Sequence, residues 1–262
     1  MVQDAKYMKG TQTYIATARA AQRVSDSAGD GASALSAAVS GEAADACVAL
    51  AVAAGGVVPA SAATSSPDVQ QAKATLCVEV DGVQAVLRAL KAHPREAKVQ
   101  QAGMNALFNL AEGAGGPAVF VSCDGAAVLV AGLEAHPDVA KVQQWGCFAV
   151  QVLAMNPAAA AALVTAGAVA AVTAALRKHS QVGGSCYIAL CACSALHWLL
   201  KQGGAPAKAA AQKARALDLA KTALVTYSDA KDAKGAGLAL DPEKSKVEEL
   251  QQRVGWLKTA LG

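Results

Sequence analysis

Apolar positions in this chain recur at helical spacing, and one block of them recurs as a unit. Val83, Val86, Leu87 and Leu90 fall at i, i+3, i+4 and i+7, one face of a helix. The same positions 43 residues on hold Ala126, Leu129, Val130 and Leu133, and a third set follows at Val169, Val172, Thr173 and Leu176. A second apolar set behaves likewise. Val99, Gly103, Ala106, Leu107 and Leu110 align with Val142, Gly146, Ala149, Val150 and Leu153. After a three-residue insertion around Gly183-Gly184 they align with Ile188, Ala192, Ala195, Leu196 and Leu199. The polar frame repeats too: Asp81-Gly82, His93-Pro94 and Lys98-Val99-Gln100-Gln101 return as Asp124-Gly125, His136-Pro137 and Lys141-Val142-Gln143-Gln144.

Each unit therefore predicts two longer helices and a short third one, over residues 117–122, over 157–165 and from 206 onward. The eight prolines all fall between apolar-periodic segments, where helices start or stop. A histidine follows the first helix of every unit, at His93, His136 and His179. A histidine there interacts favourably with the helix dipole and its loose carbonyls, which explains the recurrence without a metal. The position 103/146/192 is Gly or Ala throughout. Glycine inside a helix costs about 1 kcal/mol against alanine, so it serves close approach by a neighbouring helix.

The flanks read differently. Residues 1–28 predict a terminal helix over 4–25, and residues 29–80 predict a degenerate capping repeat. That repeat has helices over 31–39 and 42–54, and a third begun by Ser66-Pro67. Beyond the repeats of 81–204, the segment 205–262 predicts a helix over 206–227, a linker over 228–240 and a final helix. Asp241-Pro242-Glu243 would cap that last helix. Its stripe of Val247, Leu250, Val254, Leu257 and Leu261 would pack back on the repeats or dock a partner.

The repeat resembles the armadillo repeat, on Asn105-Ala-Leu-Phe-Asn109-Leu-Ala111, Val164-Thr-Ala-Gly-Ala168 and Asp81-Gly-Val83. The resemblance covers about 80–205 and, more distantly, 30–80. It implies an all-α, right-handed alpha solenoid, an armadillo-like superhelix with extra N- and C-terminal helices. The last long helix of each repeat would line a concave groove. By that resemblance the groove candidates are Asn105, Phe108, Asn109, Phe148, Gln151, Val152, His197 and Trp198. Armadillo peptide binders carry a ladder of asparagines there. This chain has Asn109 at that position, then Val152, then Trp198, so one rung in three is kept. A mixed aromatic and amide surface suits a helical or irregular protein segment rather than an extended basic signal. Trp198 and Trp145, if exposed, would be hot spots.

Composition narrows the function. Aromatic residues make up 4%, and Ala, Val and Gly dominate, which suits small-residue helix packing. A net charge of +3 gives no nucleic-acid footprint. The seven cysteines are odd in number and mostly within apolar helices, as reduced core residues of a reducing compartment. That compartment is expected to be intracellular, cytoplasmic first and organellar second. No secretory signal is visible in the first thirty residues. The charge-free run from Val142 to Leu176 is broken by Gln143, Gln144, Gln151 and Asn156-Pro157, so three short helices explain it better than a membrane span.

Cys186, Cys191, Cys193 and His197 are the nearest approach to a metal site, and Cys193 and His197 stand at i, i+4. They form no CxxC knuckle, and no third group orients them as a nucleophile pair. No cofactor or metal is expected. The favoured function is a non-enzymatic protein–protein interaction scaffold. The alternative is a structural accessory subunit of a large organellar or cytoskeletal complex.

Overall fold

The computed structural model describes residues 82–111, 115–180, 186–232 and 244–261, and every regular element among them is an α-helix. The chain divides into two compact units, Met1–Gly132 and Leu133–Gly262. The N-terminal helix, the capping repeat, the Gly183-Gly184 insertion and the Asp241 cap all lie outside the described residues.

The first unit stacks α1 (Gly82–Ala92), α2 (Ala97–Ala111) and α3 (Gly116–Ser122), and holds the start of α4 (Gly125–Ala135). Helix α1 packs on both α2 and α3, and α2 packs on α3. The periodic residues are the core: Val86, Leu87, Leu90, Leu107 and Leu110 are buried, joined by Met104 and Phe120. Gly103 shows why its position stays small. A Cβ there would stand 2.5 Å from Leu90 Cδ2.

The second unit contains α5 (Ala140–Leu153), α6 (Pro157–Thr165), α7 (Ala168–His179), α8 (Cys186–Lys213), α9 (Ala216–Asp232) and α10 (Lys244–Leu261). Helix α8 is its axis, packed against α5, α6, α7, α9 and α10. The charge-free run resolves into α5, α6 and α7, and no single described helix is long and apolar enough to cross a membrane. Helix α6 starts where its sequence says: Asn156 Oδ1 accepts from the amides of Ala158 (3.0 Å) and Ala159 (3.1 Å), and Pro157 follows.

Two boundaries differ from the sequence reading. The helix expected over 206–227 is two helices. A turn at Ala214-Arg215, with Arg215 at φ 56°, separates α8 from α9. Arg215 is held there by Asp218, Nε to Oδ2 at 3.1 Å. The expected linker over 228–240 is helical as far as Asp232, because α9 continues through Ser228. The break expected before Pro206 is present as a kink inside α8. Gly204 adopts φ 61°, ψ −144°, which only glycine reaches without strain.

One device recurs within the repeats. Gln100 Nε2 donates to the carbonyls of Leu90 and His93, both at 3.0 Å. Gln143 Nε2 donates to those of Leu133 (2.8 Å) and His136 (2.9 Å). Each glutamine is buried in the second long helix of its repeat and closes the open carbonyl end of the first. The recurring histidine therefore marks a helix end, but its main-chain oxygen is the group that is held. The ring of His179 bonds instead to the carbonyl of Pro137, at 2.9 Å. In His93-Pro94 and His136-Pro137 the proline follows at once, and α1 and α4 stop at Ala92 and Ala135.

Candidate functional site

The eight groove candidates lie on three helices and are neither core nor fully exposed: all are half-buried. Asn105, Phe108 and Asn109 belong to α2 in the first unit. Phe148, Gln151 and Val152 on α5, with His197 and Trp198 on α8, belong to the second, where α5 and α8 pack side by side.

In the first unit the asparagine rung is already engaged. Asn109 Nδ2 donates to Asn105 O at 2.9 Å and to Asn105 Oδ1 at 3.0 Å. The amide donor that a peptide backbone would need is turned onto a neighbour one helical turn away, which leaves Oδ1 as its acceptor.

In the second unit the surface is aromatic. Trp145 and Phe148 lie 5.7 Å apart between ring centroids, tilted by 41°. Both Trp145 and Trp198 are half-buried, so part of each side chain stays open to solvent. His197 meets Trp198 edge-on at 5.5 Å, and Lys201 Nζ sits 4.6 Å over the Trp198 ring.

The sequence reading missed what covers His197. Helix α10 packs on α8 and α9 through its buried stripe of Val247, Leu250, Val254 and Leu257. This brings the Trp256 ring to 4.7 Å from the His197 ring. Arg253 lies 4.5 Å over the same indole and pairs with Glu249 at 2.5 Å. The i, i+3 spacing of Arg253 and Trp256 beside the apolar stripe was the available signal. Burial, then the nearby cations Lys201 and Arg253, hold the His197 imidazole below its ordinary pKa. Its Nδ1 is buried without a hydrogen-bond partner among the described residues.

The cysteines are packing residues. Cys147, Cys186, Cys191 and Cys193 are buried, and all five described cysteines are free thiols. Burial pushes the thiols of Cys147 and Cys193 up to about 12, and that of Cys191 well up, away from nucleophilic thiolate. No group of His, Cys, Asp or Glu among the described residues could hold a metal ion.

No protein-family model and no curated protein matches the chain. A solved structure from work on computationally designed, self-assembling cyclic homo-oligomers aligns over 99% of this chain and 97% of its own, at 14% identity. Its TM-score is 0.31, too low to carry an argument about fold or function.

Proposed function

We propose that this chain is a non-enzymatic protein-interaction scaffold of armadillo-like repeats, working in a reducing compartment. A partner protein segment would lie on the half-buried aromatic and amide residues of the second long helices. The observation that carries this is the placement of Phe148, Gln151, Val152 and Trp198 on two packed helices, α5 and α8, whose other faces form the core. Aromatic rings that are half-buried in packing lose little entropy on binding and are favoured anchors. Asn105, Phe108 and Asn109 offer a similar surface on α2. The half-buried histidine and the high-pKa thiols supply no activated nucleophile or matched acid–base pair, which supports a binding role over a catalytic one.

The terminal helix bears on the accessory-subunit alternative. The apolar stripe of α10 is spent on α8 and α9, so it is not a free attachment arm. Selection from a displayed peptide library, followed by calorimetry, tests the scaffold. Peptides that bind the native chain should bind Phe148→Ala and Trp198→Ala about tenfold more weakly, with the helical circular dichroism unchanged. A library that yields no binder, or binders indifferent to both changes, would sink the proposal.

A further inference from the structure

Residues 139–217 contain seven basic side chains and no acidic one. They are Lys141, Arg177, Lys178, Lys201, Lys208, Lys213 and Arg215. Two of them find carboxylates just outside that stretch: Lys178 pairs with Asp138 and Arg215 with Asp218. Lys141 is turned onto Gln144 at 3.1 Å. Lys201, Lys208 and Lys213 have no carboxylate partner among the described residues.

Lys201 and Lys208 share one further property. Both line a cavity of about 350 Å³ between α8 and the last turns of α10, with His197, Leu200, Trp256, Thr259 and Ala260. They sit on either side of the Gly204 kink. The rest of the wall is mostly apolar, from Leu200, Trp256 and Ala260. The acids of α10 stay away from it: Glu248 and Glu249 lie about two turns before Trp256, and Glu249 is held by Arg253. The cavity thus offers, beside apolar surface, two lysines that have no carboxylate partner among the described residues, Lys201 with its ammonium over the Trp198 ring.

We propose that this cavity docks an acidic segment of a partner protein. Its carboxylates would meet Lys201 and Lys208, and one apolar side chain would sit against Leu200, Trp256 and Ala260. The proposal rests on the scaffold reading and adds the chemistry of the partner. A nucleic acid would satisfy the two lysines, but its bases would have to stack on a Trp256 ring that already meets His197 and Arg253, so a peptide with an aliphatic side chain is favoured.

Fluorescence anisotropy tests it, with a labelled Glu-Glu-Leu-Leu-Glu-Glu peptide, its Gln-for-Glu counterpart and a short labelled oligouridylate. The native chain should bind the Glu peptide at least about tenfold more tightly than the Gln peptide, with the difference shrinking as salt rises. Lys201→Glu/Lys208→Glu should abolish that preference. Lys213→Glu, which changes charge outside the cavity, should leave it intact. Equal binding of the two peptides, or a preference that survives the double substitution or is lost with Lys213→Glu, overturns the proposal. So does oligouridylate binding that exceeds peptide binding and is lost in the double variant. Library peptides that bind through Phe148 and Trp198 but need no acidic residue would leave the scaffold standing while this proposal falls.

Discussion

The hydroxyl of Tyr227 donates to the main-chain oxygen of His179 at 3.2 Å. His179 is the third histidine of the repeat, and its carbonyl stands where those of His93 and His136 stand in the earlier copies. There the donors are Gln100 and Gln143. In the third copy the glutamine position is Ala189, which has no donor to offer, and the buried Tyr227 of α9 supplies one from outside the repeat. The helix end is closed in all three copies, by two different chemistries.

The two closures should differ in energetic weight. Gln143→Ala removes bonds to both Leu133 O and His136 O, of which His136 O keeps the amide of Val139 at 3.2 Å. We expect it to cost about 2–4 kcal/mol, against about 1 kcal/mol for Tyr227→Phe, which removes one bond and keeps the ring. Urea denaturation with an unchanged slope would measure both. Equal costs would mean that the glutamine acts as packing rather than as a closure.

Gly103→Ala makes the opposite kind of test. Alanine is the better helix former by about 1 kcal/mol, so on local grounds it should stabilise α2. The new Cβ, however, would meet Leu90 Cδ2 at 2.5 Å and Cγ at 2.9 Å, and Leu90 is buried. Overpacking of this kind costs about 1–3 kcal/mol. We expect net destabilisation by denaturant melting. In a Leu90→Ala background the same change should be neutral or favourable, giving a clear coupling term in the double-mutant cycle.

The repeat was legible because it is written in residues with one physical use each. Leucines and valines at helical spacing became the buried faces, and Pro94, Pro137 and Pro157 marked helix limits to within two residues. Gly103 was correctly read as a contact with a neighbour. The glutamines were seen to recur, but nothing in a polar residue's spacing says which carbonyl it will reach. The break at Ala214-Arg215 was hidden because an alanine- and lysine-rich stretch carries no Gly or Pro to announce a turn. The groove was legible only as positions. That α10 would lay Trp256 on His197 depends on helices distant in sequence, which a local pattern cannot place.

The thiols should separate by burial. Cys123 is half-buried, whereas Cys147, Cys191 and Cys193 are buried with thiols pushed up, to about 12 for Cys147 and Cys193. A thiol of that pKa holds about one part in ten thousand as thiolate near pH 8. Brief iodoacetamide treatment of the native chain, followed by peptide mapping, should therefore alkylate Cys123 and spare the other three. In denaturant all four should react alike. Early modification of Cys193 in the native chain would mean that α10 does not keep α8 covered.

Acid should loosen the contact between α8 and α10. His197 has its pKa lowered from the ordinary 6.5 in the folded chain, by burial first and then by Lys201 and Arg253. On unfolding the ring returns to its ordinary value. Between the folded pKa and 6.5 the unfolded chain thus binds more protons than the folded one, so stability rises with pH across that window. It is lost as pH falls below 6.5, because protonation places a third positive charge beside Lys201 and Arg253 and against the Trp256 ring. We expect urea midpoints, read by tryptophan fluorescence, to drop between about pH 7.5 and about pH 5.5. His197→Gln keeps a polar group of similar reach but cannot be protonated, so its midpoints should change less over the same interval. Lys201→Gln removes one of the two cations that depress the imidazole, so the folded pKa rises toward 6.5 and the loss should be smaller and end at a higher pH. If His197→Gln follows the native chain through acid, the slope belongs to carboxylates elsewhere, and the His197–Trp256 contact is not the sensitive element.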